Sequence, residues 1–361
     1  MSSIYGKLFT VSTWGESHGP AVGAVVDGCP AGLPLEESDI QKAMDRRRPG
    51  QNALVTPRKE SDTVHILSGV FEGKTTGTPI SLVVQNENQR SGDYSEMQNL
   101  YRPGHADLTY DLKYGFRDYR GGGRASARET LARVAAGAIA AKILERACGT
   151  EILSWVESVG DVGSNIAPES VTRENIEASP VRCPDAFASP KMEEAVRSAM
   201  AAKDSVGAVL ALDIRKPPAA LGEPVFDKLQ AALGAALLSI PAVKGFEIGE
   251  GFAASRMRGS EHNDVIGVKD GKFFTETNHA GGTLGGISNG ETIHCRLAFK
   301  PTATIAQEQR TAGRDRETGT LAARGRHDPC VALRAPVIVE SMAAIALVNL
   351  FLEQRARERL F

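Results

Sequence analysis

Hydrophobic positions along this chain follow two periods. A two-residue alternation predicts strands at 8–13, 21–27, 64–71, 80–85, 151–160, 207–214, 243–250, 272–277 and 292–300. A spacing of three to four predicts helices at 36–47, 191–203, 224–240 and 335–355, the last amphipathic. Ile40 and Met44 form the i, i+4 apolar pair of the first helix, which Pro49-Gly50 stops; Pro224 opens the third. The segment 126–148 is different, being Ala-rich with Leu131, Val134, Ile139 and Ile143 spread around it. Such a helix belongs in the centre of a fold, with neighbours on several sides. Ser126 with Glu129 three residues on reads as its capping box, and Gly149 as its stop.

Between these elements the chain is polar. Residues 86–99 read as a loop, 162–190 as an irregular surface insertion, and 306–326 as a mobile stretch. Strands and helices neither alternate strictly nor segregate, so an α+β fold with antiparallel sheets around central helices is expected. A doubly wound parallel sheet fits less well: no G-x-G-x-x-G follows a strand, and no Walker loop is present. One internal echo stands out. GAVVDGCPAGLPLEESDIQKAM from Gly23 and GAVLALDIRKPPAALGEPVFDKL from Gly207 are each strand, Pro-rich loop and helix. Two halves related by a pseudo-dyad are expected, within a single domain spanning 1–361.

Composition narrows the classes. With 361 residues and 42% apolar side chains, core is ample. A net charge of −2 and only 6% aromatics speak against nucleic acid. Five cysteines without C-x-x-C spacing suit a reducing compartment. No secretory signal opens the sequence, and the apolar run 342–352 is short for a bilayer, so a cytoplasmic protein without membrane contact is expected.

The candidate chemistry lies in the loops. Residues 101–130, YRPGHADLTYDLKYGFRDYRGGGRASARET, gather one His, five Arg and three consecutive glycines ahead of the central helix. Glycines let backbone approach a ligand closely, and a helix start with Arg124 and Arg128 beside it favours anions. GESHGP holds Ser17 and His18, RPGHAD holds His105, and GRHDPC holds His327 and Asp328. One such loop is ordinarily a turn; three in one style point to an active site. Metal-ligand spacing is absent, and Ser17 lacks the G-x-S-x-G elbow of a hydrolase. Arg46, Arg47, Arg48, Arg102, Arg120, Arg124 and Arg334 supply guanidinium forks for a substrate with several anionic groups. KPTATI from Lys300 and the NHAGG loop offer further backbone surface.

Together, GESHGP, DRRRPG, RPGHAD, YRGGGRASARET, NHAGGTLGGIS and GRHDPC resemble the chorismate synthase family, in order and at matching spacing from about Lys7 to the last helix. The resemblance implies a β-α-β sandwich assembled as a homotetramer. It implies conversion of 5-enolpyruvylshikimate 3-phosphate to chorismate and phosphate by 1,4-anti elimination, the last step of the shikimate pathway, with reduced FMN. Carried over by motif, His18 would protonate the leaving phosphate, His105 would stabilise the reduced flavin, and Asp328 would lie near flavin N5. Ser17 and Ser126 would orient the histidines. Arg124, Ala125, Ser126, Pro241, Ala242, Gly286, Lys300, Pro301, Thr302, Ala303, Thr304 and Arg326 would bind flavin, while Arg47, Arg48, Arg102, Arg120 and Arg334 would hold substrate anions. Three departures from the family pattern are Gln51-Asn52-Ala53 in place of an Arg after RRRPG, Ala303-Thr304 in place of two serines, and Ala125 in place of Ser. No segment is long enough for a built-in reductase, so the flavin would arrive already reduced from a separate NAD(P)H-dependent enzyme. The alternatives are a flavin-independent phosphosugar lyase or isomerase, and a non-catalytic flavin- or nucleic-acid-binding protein.

Overall fold

A computed structural model describes residues 3–58, 60–87, 96–323 and 327–358. Ten strands build two sheets. They are β1 (Ile4–Tyr5), β2 (Thr10–Trp14), β3 (Ala21–Asp27), β4 (Val64–Ile66), β5 (Ile80–Gln85), β6 (Glu151–Val159), β7 (Val162–Gly163), β8 (Ala208–Arg215), β9 (Val243–Ile248) and β10 (Ile293–Phe299). The first sheet runs β1-β2-β3-β5-β4 and the second β9-β10-β8-β6-β7, antiparallel throughout. Eight helices accompany them: α1 (Glu37–Arg47), α2 (Asp107–Tyr114), α3 (Thr130–Cys148), α4 (Arg173–Ala178), α5 (Ser189–Ala201), α6 (Leu229–Leu238), α7 (Gly259–His262) and α8 (Pro336–Ala356). α3 packs on β2, β3 and β5, α8 packs on β6 and β8, and the two helices pack on each other. This is the expected α+β arrangement, with a helical layer between antiparallel sheets.

The internal echo extends well beyond the repeated sequence. β2-β3-α1-β4-β5-α3 in the first half matches β6-β8-α6-β9-β10-α8 in the second. The corresponding sheets read β2-β3-β5-β4 and β6-β8-β10-β9. The equivalent helices α3 and α8 meet at the centre, where a Cβ on Gly137 would lie 2.3 Å from Ser341 Cβ and 2.6 Å from its Cα. Gly137 is therefore what lets the two backbones approach.

Several expectations need correction. The Ser126–Glu129 capping box does not form. Ser126 Oγ accepts from Arg128 N at 3.3 Å and caps a 3-10 turn, Ala127–Glu129, while Glu129 binds Arg133; α3 proper starts at Thr130. Gly149 does stop it, at φ 70°. Residues 162–190 are not a detached insertion: α4 has a Thr172–Asn175 capping box, and Val171, Ile176, Val181 and Cys183 are buried. α2 was not expected, and the helix expected from Pro224 begins at Leu229. A hairpin, Gln309–Ala312 with Thr318–Leu321, occupies the stretch read as mobile. α8 is not amphipathic, being buried continuously from Val337 to Leu350. It is long and apolar enough to cross a membrane by length and composition, but 83% of its most apolar window is buried within the protein.

Buried polar groups fix α8 in place. Glu340 accepts from Arg46, Arg173 and Ser154 N. Asn349 Oδ1 accepts from Lys7, Leu8 and Phe9 N, and its Nδ2 donates to Phe9 O. The tight crossing gives a direct test: Gly137→Ala should push α3 from α8 and lower unfolding free energy by about 1–3 kcal/mol, read by chemical denaturation. Unchanged stability would show that the crossing has slack.

Candidate active site

A cavity of about 440 Å³ opens where connections from the two halves converge. The first half contributes the β2–β3 turn with Ser17 and His18, Arg47 at the end of α1, the segment after it with Thr56 and Arg58, and the segment before α3. The second half contributes Pro241 and Ala242 after α6, Lys300 to Thr304 after β10, and His327, Asp328 and Arg334 before α8. The connections after α1 and α6 are equivalent in the repeat, as are those before α3 and α8. The site thus lies where the two halves meet at the same end of the helical layer.

The glycine run sets its geometry. Gly121, Gly122 and Gly123 have φ of 62°, 81° and 53°, all in the left-handed region. A Cβ on Gly121 would stand 2.2 Å from the His18 ring and 2.9 Å from Ser17 Oγ. One on Gly122 would stand 3.0 Å from His105 Cε1 and 3.3 Å from Arg102 Nη2. Adjacent glycines therefore hold the two histidines against one strip of bare backbone.

His105 is held from behind. Its Nδ1 lies 3.1 Å from Asp107 Oδ1, and Asp107 accepts from Arg102 Nε at 2.7 Å and Nη2 at 2.8 Å. Burial alone would raise the Asp107 carboxyl, but hydrogen bonds from Arg102 and His105 hold it well below the carboxylate range. Burial pushes the His105 imidazole below its ordinary pKa, against the pull of Asp107. Asp328 is also fixed: Oδ1 accepts from Thr56 N at 2.8 Å and Oδ2 from Arg334 Nη1 at 2.9 Å.

Among the described residues, Arg47, Arg58, Arg102, Arg128, Arg334 and Lys300 line the cavity, and Asp328 is the one carboxylate in its lining. Six cations against one anion leave a positive field for a polyanionic ligand. Buried Asp62 compensates part of it from behind the wall, accepting from Arg47 Nη1 at 3.1 Å and Arg128 Nη1 at 2.8 Å. Burial, then the charge of Arg334, presses the Arg47 guanidinium below its usual range; Asp62 opposes. Lys300 is likewise lowered, by burial first and then by Lys244.

Of the residues expected to form the site, Ser17, His18, Arg47, Arg102, His105, Ala125, Ser126, Pro241, Ala242, Lys300, Pro301, Thr302, Ala303, Thr304, Asp328 and Arg334 line this cavity. Others do not. Arg46 turns away to Glu177 and Glu340. Arg48 is exposed at the end of α1. Arg120 is exposed and paired with Asp118. Arg124 binds Thr13 and Gly15 O and faces a neighbouring cavity with Tyr110, Lys113 and Arg133. Gly286 lies beside Glu223 and Lys228 at the start of α6, and its carbonyl accepts from Leu229 N. Arg326 lies outside the described residues. Arg128, read from sequence as a charge beside the helix start, also lines the cavity, while Thr56, Arg58 and Tyr110 line it without having been assigned to it from sequence. Arg58 enters the cavity from the same connection that carries Gln51-Asn52-Ala53.

A cation-lined cavity with His18, His105, His327 and a carboxylate, at one end of the helical layer, is that of an acid–base enzyme for a small anionic substrate. The family model described as chorismate synthase matches residues 9–352. The chain belongs to the chorismate synthase family, carbon–oxygen lyases acting on phosphates. It is 56% identical over 357 residues to the chorismate synthase of Opitutus terrae, covering 99% of this chain and 98% of that one. It is 55% identical over 358 residues to that of Synechococcus elongatus, covering 99% of both. A crystal structure of chorismate synthase superposes with a TM-score of 0.77 at 32% identity, covering 97% of this chain and 93% of that chain.

The glycine strip makes a graded prediction. Gly121→Ala should displace His18 and lower turnover by roughly 10²-fold, the usual weight of an acid–base group. Gly122→Ala, with its looser contact, should cost less. Steady-state kinetics on folded variants check the order, and equal effects would refute it.

Proposed function

We propose that this chain converts 5-enolpyruvylshikimate 3-phosphate to chorismate and phosphate by a 1,4-anti elimination with reduced FMN, closing the shikimate pathway. The observation that carries the reading is the placement of His18 and His105 on one glycine strip inside a cavity where cations outnumber carboxylates six to one. A substrate with one phosphate and two carboxylates calls for that excess.

The lining also suits a flavin. Ala125, Pro241, Ala242 and Ala303 give an apolar wall for a ring system. Thr302 and Arg128 line the cavity, and Thr302 Oγ1 is buried without a hydrogen-bond partner among the described residues, a polar group left for a ligand to meet; Arg128 Nη2 lies 3.7 Å from Glu60 Oε2. Lys300, Thr302 and Thr304 would hold the flavin from one side, with Ala125 and Ser126 at the turn before α3. When bound, reduced FMN would supply electron density to the allylic system of the substrate. The protein positions the reactants and handles protons. His18 donates to the oxygen of the leaving phosphate as the C–O bond breaks. Arg47, Arg102 and Arg334 hold substrate anions, and Arg58 and Arg128 add to that field. Asp328, fixed by Thr56 and Arg334, offers an acceptor for the proton released in C–H cleavage. His105 holds a proton against the anionic ring edge. Homotetramer assembly, a cytoplasmic setting and flavin supplied by a separate NAD(P)H-dependent reductase complete the proposal, and these rest on the family resemblance.

Anaerobic assay with pre-reduced FMN and 5-enolpyruvylshikimate 3-phosphate should yield chorismate and phosphate in equal amounts. Phosphate release indifferent to flavin would favour a flavin-independent lyase, and no release would sink both. His18→Ala and His105→Ala should each lower turnover by roughly 10²-fold or more. A variant with full turnover would remove its residue from the mechanism.

A further inference from the structure

Asp107 was assigned no part in the chemistry from sequence. It is the first residue of α2, almost fully buried, and its two oxygens do different things. Oδ2 accepts from Arg102 Nε at 2.7 Å and from Arg102 N at 3.1 Å. Oδ1 accepts from Arg102 Nη2 at 2.8 Å and faces His105 Nδ1 at 3.1 Å. Arg117 adds a further charge 3.8 Å from Oδ1. A carboxylate so surrounded stays ionised, and an ionised carboxylate can only accept. The ring nitrogen it faces must therefore be the donor, and that choice fixes the tautomer.

We propose that Asp107 is a positioning residue for His105: gripped by Arg102, its carboxylate keeps a proton on Nδ1 and leaves Nε2 as the nitrogen that gains and loses a proton in the cavity. The inference rests on the chorismate-forming reading for its purpose, though not for its geometry. Without the carboxylate, either ring nitrogen could carry the proton of the neutral ring. His105 could then present a bare or a protonated edge to the same ligand atom.

The charges around the ring give the pH consequence its sign. Arg102 from its own segment and Lys300 from the segment after β10 disfavour the imidazolium, as does burial. Asp107 favours it and opposes them. Asp107→Asn should therefore lower the titration midpoint of His105. An opposite charge at this range typically moves a pKa by about 1–3 units, so a drop of about one unit or more is expected.

The test is ¹⁵N NMR of the histidine rings in flavin-free protein, with His105 assigned by the loss of its signals in His105→Gln. In wild type the neutral ring should carry its proton on Nδ1; a proton on Nε2 overturns the proposal without Asp107→Asn having to fold. In Asp107→Asn the Nε2–H form should appear and the midpoint should fall. The wild-type tautomer and midpoint persisting in that variant also overturn it. Asp107→Glu should restore the wild-type tautomer. In the anaerobic assay, the alkaline limb of the kcat profile should move to lower pH in Asp107→Asn, with KM changed less than kcat. Should wild type form no chorismate at all, the activity reading fails, while the ring spectra still decide what Asp107 does.

Discussion

Three consecutive residues in the left-handed region, Gly121 to Gly123, are the constraint on which the site depends. No side chain fits between that strip and the two histidines, so the chain can bring His18 and His105 to one surface only with bare backbone beneath them. The strip is anchored at both ends: Ser17 N donates to Gly123 O, and the turn capped by Ser126 leads directly into α3. Position along α3 and position of the histidines are thus one variable, and α3 is in turn held against α8 at Gly137.

The second organising feature is the handling of charge. Six cations around a small cavity would repel one another strongly without compensation. The compensation stands behind the wall. Asp62 serves Arg47 and Arg128, Asp107 serves Arg102, and Glu60 serves Arg58. Asp328, on the wall itself, serves Arg334. Each carboxylate takes part of a guanidinium and orients it, so the cavity keeps a positive face while its arginines stay ordered. Glu340 does the same for Arg46 away from the cavity, which is why one arginine of the Arg46-Arg47-Arg48 run joins structure, one joins the cavity and one remains exposed.

The repeat explains why a site exists here. Equivalent connections after α1 and α6, and before α3 and α8, arrive at the same end of the helical layer, and residues from all four line the cavity. The repeat supplies the frame, and the differing connections supply the chemistry. His18, His105 and the glycine strip come from the first half, and Lys300 to Thr304 with His327 and Asp328 from the second.

Much was legible in the chain because the signals were local. Ile40 and Met44 are buried on α1, the strands at 21–27 and 80–85 have the expected bounds, and Gly149 ends α3. His18, His105 and Asp328 announced themselves by Gly- and Pro-rich surroundings. What sequence could not assign depends on partners far away in the chain. Polar residues inside α8 look like breaks in an apolar face until Glu340 meets Arg46 and Asn349 meets the backbone of residues 7–9. Thr56 and Arg58 carry no local signal that marks them as cavity residues, and Arg120 and Arg124 turn to Asp118 and Thr13, because side-chain direction is decided by which acceptor packing brings near. Residue type and local period determined the elements and the kind of chemistry; the convergence of two halves determined which charges face the ligand.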